Sequence, residues 1–136
     1  MSASKTFTLE IVTPERTVFS GPVEFAVFPG AEGELGILPN HAALLSALAP
    51  GMVKTVRDKT AAYYAVSGGF LEVRSNTAHV LADTCEPASE IDKPRATVAR
   101  DAAQREMKTK KDKGELAAAE KRLRRAEARL KVAAKL

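Results

Sequence analysis

Tryptophan is absent from this chain of 136 residues, cysteine occurs once and histidine twice. A lone thiol, Cys85, excludes an internal disulfide, and without a CxxC pair or a Cys/His cluster no structural zinc site can be assembled. Cys85 therefore reads as a small, half-buried residue at a strand end. Aromatics are scarce, five Phe and two Tyr, and all of them precede Cys85, so only the first part of the chain can build an aromatic core. No apolar run approaches the ~20 residues of a membrane-spanning helix, and the opening MSASKTFTLEIV holds none long enough for a signal peptide. The expectation is a cytoplasmic location, with membrane contact only through partners. The phosphate-cradling loop GxxxxGKS/T and the nucleophile elbow GxSxG are missing too, and no catalytic centre is expected.

What is present falls into two parts. The chain is 45% hydrophobic and 28% charged, the composition of a soluble globular protein, but its charges are sorted. Residues 1–90 carry six Lys/Arg against ten Asp/Glu, whereas 91–136 carry fifteen against seven; the whole chain stands at +4. The change of sign falls within residues 80–96, VLADTCEPASEIDKPRA. Before this seam apolar residues alternate and are interrupted by glycine and proline; beyond it they fall at helical spacing without a further proline. A chain of this length suits one small domain with an appendage, expected here as 1–86 and 87–136.

Phe7, Leu9 and Ile11 alternate with Thr6, Thr8 and Glu10, the period of two that puts one strand face on a core. Val23, Phe25 and Val27 repeat the pattern until Pro29-Gly30. A hairpin is expected from 52–57 and 61–66 around Asp58-Lys59, and a second from 70–74 and 77–82 around Ser75-Asn76. Short strands at this spacing predict an antiparallel β-sandwich or flattened barrel over residues 5 to about 84. Residues 29–48, PGAEGELGILPNHAALLSAL, read instead as a shaped loop, because glycines and prolines fix unusual backbone angles around Glu32 and Glu34. Such a loop is either a contact site or a demanding connection with no partner. His41 within it either bonds its own loop or carries protons.

Beyond the seam, Asp92 caps a helix that starts at Lys93-Pro94, since proline in the first turn forfeits no helical hydrogen bond. Ala96, Ala99, Ala103 and Met107 form a narrow stripe on it, residues 108–114 read as a lysine-rich turn, and a second helix follows. Leu116, Ala119, Leu123, Ala126, Leu130 and Ala133 alternate spacings of three and four, the seam of a closely packed helix pair. Around it stand Lys121, Arg122, Arg124, Arg125, Arg129, Lys131 and Lys135, either a solvated basic face or a binding face. An antiparallel helix hairpin so short of large apolar residues docks weakly, which makes it a plausible moving part.

The motif GxEGELGILPxHAxLL, standing here at Gly30, Glu32 to Pro39, His41, Ala42, Leu44 and Leu45, resembles the signature loop of the epsilon subunit of rotary F-type ATP synthases. Pro50-Gly51-Met52, the run 67–73 (SGGFLEV) and the run 80–84 (VLADT) follow in the family's order, and the similarity extends over essentially the whole chain. The resemblance implies a noncatalytic central-stalk subunit at the cytoplasmic face of the bacterial inner membrane, set between the gamma subunit and the c-subunit ring of a proton-translocating enzyme. It implies Glu32, Glu34 and His41 as candidates for the c-ring contact. It also implies a hairpin that either folds down or extends into the catalytic head, where Arg122, Arg124, Arg125 and Arg129, with Lys108, Lys110 and Lys111 behind them, meet the alpha and beta subunits and block ATP hydrolysis. ATP-binding members carry I/L-D-x-x-R-A at the seam, matched here by Ile91, Asp92, Arg95 and Ala96, with Glu86, Arg125 and Arg129 at the remaining matching positions. No cofactor is implied as required, and ATP enters as an optional regulatory ligand. Asp92 and Arg95 have a structural reading as well, that of starting a helix.

The alternative from another class is a nucleic-acid-binding small β-barrel with a basic helical arm, suggested by a sequence pI near 9.3. Against it, the β half is net acidic and offers no series of surface aromatics for base stacking, so no nucleic-acid partner is expected.

Overall fold

The computed structural model describes residues 5–136; residues 1–4, where the opening stretch without a signal-peptide pattern begins, lie outside it. Strand β1 (Phe7–Val12) buries Phe7, Leu9 and Ile11, as their alternation requires, and pairs with β2 (Thr17–Val23). β3 (Phe25–Gly30), β4 (Gly33–Ile37), β5 (Leu44–Leu48), β6 (Gly51–Arg57), β7 (Thr60–Val66), β8 (Gly69–Arg74), β9 (Thr77–Ala82) and the short β10 (Cys85–Pro87) complete one sheet. Its order is β10-β7-β6-β3-β5-β8-β9-β1-β2, with β4 on β3. The sheet folds over where β3 meets β5 through the single pair Gly30 and Leu48, and the edge strands β2 and β10 approach each other. The inward faces of both layers, including Leu9, Ile11, Phe28, Ile37, Leu71 and Val80, then form one continuous core.

The expected sandwich or flattened barrel is therefore present, with three differences in detail. β1 pairs with β9 in parallel, the other ladders being antiparallel. The alternation of Val23, Phe25 and Val27 breaks at Glu24, where the chain passes from one layer to the other and shifts phase, so that Ala26 and Phe28 point inward while Phe25 and Val27 stay half-buried. Residues 29–48 are also more regular than a loop, because β3 runs through Pro29-Gly30 into a tight hairpin with β4, and β5 lies on β8. Both expected two-residue hairpins are seen, with Asp58, Lys59, Ser75 and Asn76 all at positive φ, the geometry that matches strand twist. Gly69 also has positive φ, and a Cβ there would run into the carbonyl of Leu81.

After a 3₁₀ turn at Ala88–Glu90 come α1 (Lys93–Thr109) and α2 (Lys113–Ala133). Asp92 caps α1, its carboxylate accepting from the Arg95 amide at 3.1 Å. Asp112 caps α2 by accepting from the Glu115 amide at 3.0 Å. This second cap shortens the expected lysine-rich turn and places Gly114 inside the first turn of α2. The helices pack along alanines: Ala96 and Ala103 on α1 and Ala119, Ala126 and Ala133 on α2 are buried, with the leucines of α2 at their flanks. α2 has a second inward face that the sequence reading missed. Val132, fully buried, packs with Ala65 and Ala88 beside Met52, Tyr63 and Ile91, which docks the hairpin on β6 and β7. Lys135 Nζ lies 5.4 Å above the Tyr63 ring.

Candidate functional site

Where the helices leave the barrel a cleft of about 360 Å³ opens, at the lower end of the ~300–1,000 Å³ usual for ligand sites. β10 supplies Glu86, the first turn of α1 supplies Asp92, Arg95 and Ala96, and α2 reaches in with Arg129. These seam residues, scattered over 44 positions of sequence, are thus brought to one place. Arg129 Nε donates to Glu86 Oε1 at 2.6 Å, with both side chains about one-third exposed (33% and 32%), so this charge-assisted bond pins α2 to the barrel. Arg95 has no ion-pair partner among the described residues. Thr84 of the lining is held from behind by Ser67, whose hydroxyl accepts from the Thr84 amide at 3.0 Å and whose own amide donates to the Thr84 carbonyl at 3.2 Å.

Two members of the expected nucleotide set lie elsewhere. Ile91 packs in the apolar cluster around Val132 and does not line the cleft. Arg125 sits one helical turn before Arg129, beside smaller hollows that Arg129 also lines. Its Nε is buried and has no hydrogen-bond partner, a donor that a phosphate oxygen could satisfy. A nucleotide fits the chemistry of this donor set: carboxylates at Glu86 and Asp92 accept from an amine or hydroxyl, and guanidinium groups bind phosphate in a fork.

The sequence reading also missed the opposite contribution from the barrel. Thr13, Glu15 and Arg16, in the turn between β1 and β2, line the same cleft together with Glu90 of the 3₁₀ turn. Arg16 donates to Glu90 at 2.9 Å. Cys85, also in the lining, is buried, and burial pushes its thiol up to about 12. It is a packed thiol rather than a nucleophile.

The arginines expected to meet other subunits are partly occupied in this docked state. Arg122 pairs with Glu106 of α1, Arg124 pairs with Glu120 at 2.7 Å, and Arg125 and Arg129 face inward. Lys108, Lys110 and Lys111 are exposed at the far end of the hairpin. On the barrel, Glu32 and Glu34 are exposed at the β3–β4 hairpin, and His41 Nδ1 lies 2.8 Å from the Ala42 carbonyl, a bond within its own loop. Leu45, Phe70 and Leu81 stand exposed together across β5, β8 and β9, an apolar patch whose alternation on the outer face was readable in the strands.

Comparison with known proteins places this geometry. The family model "ATP synthase, Delta/Epsilon chain, beta-sandwich domain" matches residues 6–88, and "ATP synthase, Delta/Epsilon chain, long alpha-helix domain" matches residues 89–134. The ATP synthase epsilon chain of Herpetosiphon aurantiacus is 48% identical over 125 residues, covering 92% of this chain and 92% of the relative. That of Dehalococcoides mccartyi is 51% identical over 128 residues, covering 93% and 91%. A chain of the Euglena gracilis mitochondrial ATP synthase, solved with its c-ring, superposes with a TM-score of 0.82 at 23% identity, over 95% of this chain and 81% of that one, a likeness of fold. With the two family models together matching residues 6–134 and relatives near half identical over nearly their whole length, the chain belongs to the ATP synthase delta/epsilon family, among its epsilon chains.

Proposed function

We propose that this chain is the noncatalytic central-stalk subunit of a bacterial-type, proton-translocating ATP synthase, peripheral at the cytoplasmic face of the inner membrane. Its barrel joins the gamma subunit to the c-ring and its helix hairpin restrains ATP hydrolysis. The exposed Glu32 and Glu34 on a tight hairpin offer carboxylates of fixed position to polar c-ring loops, and the Leu45, Phe70 and Leu81 patch is a surface on which gamma can rest. The hairpin brakes by leaving the barrel and presenting Arg122, Arg124, Arg125 and Arg129 to the alpha and beta subunits.

The observation that carries the regulatory part is the bond from Arg129 to Glu86. Of the arginines that would act on the catalytic head, Arg129 is the one that bonds the hairpin to the barrel, so it cannot do both at once. ATP bound at the seam, by Glu86, Asp92, Arg95 and Arg129, stabilises the docked hairpin by linkage, because the site exists only in that form. ATP here is a regulatory ligand and undergoes no reaction. Calorimetric titration of the full chain with ATP tests this. Saturable binding at millimolar ATP or below, weakened at least about tenfold by Arg95→Ala, is expected for loss of a charge-assisted phosphate contact. Absence of binding at millimolar ATP would leave a brake set by the catalytic head alone, with Asp92 and Arg95 serving only to start α1.

A further inference from the structure

Three guanidinium groups from three elements line the seam cleft: Arg16 from the β1–β2 turn, Arg95 from α1 and Arg129 from α2. Neither helix explains Arg16. It lies 74 residues from its partner Glu90 and belongs to the barrel. Its backbone is held firmly, because the Thr13 amide donates to the Arg16 carbonyl at 2.9 Å and the Arg16 amide donates to the buried Thr13 hydroxyl at 3.3 Å. Its side chain, in contrast, is held by one bond to Glu90, at 2.9 Å, with the two side chains 50% and 49% exposed. A pair so wet is weak and exchanges readily. Glu90 takes a single bond from this guanidinium, whereas a phosphate can accept two in parallel.

We propose that Arg16 is the barrel's own phosphate ligand in the seam cleft. The proposal rests on the nucleotide reading of that cleft and adds to it a residue and a consequence. When a nucleoside triphosphate enters, Arg16 leaves Glu90 and turns to a phosphate oxygen already approached by Arg95 or Arg129. Ligand bonds then run from the β1–β2 turn to both helices. Occupancy thereby adds a tie between the hairpin and the β1–β2 turn of the barrel, and Glu90 acts as the built-in competitor that keeps Arg16 in place while the cleft is empty.

The plain alternative is that Arg16 and Glu90 form a strap between two turns. The two readings differ in sign. If the pair is a strap, Arg16→Gln and Glu90→Gln break the same bond and affect ATP binding alike. If Arg16 is a ligand, Arg16→Gln weakens binding while Glu90→Gln frees the guanidinium and strengthens it. Magnesium-free ATP is titrated into the full wild-type chain and into both variants, with circular dichroism to verify that each is folded. A loss of about tenfold for Arg16→Gln and a gain of severalfold for Glu90→Gln are expected. Equal effects of the two variants, or wild-type affinity in Arg16→Gln, would overturn the role of Arg16 and leave the seam site standing. A wild-type chain that takes up no ATP would remove the site itself, and Arg16's role with it.

Discussion

At the scale of single residues, Cys85 is the seam group whose ionisation is shifted by its surroundings. Burial raises its thiol from an ordinary 9.0 to about 12; Arg16 pulls it down, and Glu86 and Glu90 push it back up. Between those values the folded chain keeps a proton that the unfolded chain has lost. The contribution to stability is complete below pH 9 and is lost as pH rises toward 12, at up to ~1.4 kcal/mol per pH unit. Buried Tyr64, whose hydroxyl is also raised, adds the same sign above its own ordinary 10.0. Urea unfolding of wild type and Cys85→Ala at pH 8, 9 and 10 should show the wild type losing more stability with pH than the variant. Parallel losses would mean that the thiol titrates normally. The site was legible at this scale only in part. Of the residues that the family resemblance singled out, Glu86, Asp92, Arg95, Ala96 and Arg129 converge and Ile91 and Arg125 do not, whereas Arg16 and Glu90 were not named, because nothing local in a Thr-Pro-Glu-Arg turn announces a partner 74 positions away.

Among the elements, α2 carries the hairpin's packing on β6 and β7, and its grip is small. One large side chain, Val132, is fully buried against the barrel, helped by the nearby Ala128 and by the single bond from Arg129 to Glu86. Truncating Val132→Ala should cost on the order of 1–2 kcal/mol of docking, from the methyl groups lost and the cavity left. Val132→Asp buries a carboxylate without a partner and should release the helices altogether. Hydrogen exchange would report this as faster exchange in α1 and α2 with β1 to β9 unchanged; protection that survives Val132→Asp would show that the alanine seam and the salt bridges suffice. The sequence reading found both helices because proline, capping aspartates and a repeat of three and four are local signals. It missed the Val132 face because one valine among arginines makes no period, and it missed β4 and β5 because glycine and proline, which usually end strands, here shape a hairpin and a corner. The crossing at Glu24 defeated the alternation rule for a similar reason: a strand that changes layer changes phase.

For the molecule as a whole, charge and core divide along the same line. The main core cluster runs from Phe7 to Cys85 and takes no residue from either helix. The barrel therefore has what it needs to fold without the hairpin, whereas two alanine-lined helices with a single valine anchor have little to hold them together in water. The helices also carry the basic excess, fifteen Lys/Arg against seven Asp/Glu in residues 91–136, while the barrel is net acidic. Attraction between the two parts is screened by salt, so the docking of the hairpin should weaken as ionic strength rises. Deleting residues 92–136 separates the two roles. Reconstituted into an ATP synthase stripped of its own epsilon chain, the full chain should support ATP synthesis and suppress hydrolysis. On the proposed function, the truncated chain should support synthesis with hydrolysis released, since it would keep the barrel's stalk contacts and lose the arginines of α2. Loss of synthesis with the barrel alone, once its fold has been verified, would mean that the hairpin carries torque. Hydrolysis still suppressed by the truncated chain would place the brake in the barrel, and the basic face of α2 would then be no more than a solvated surface.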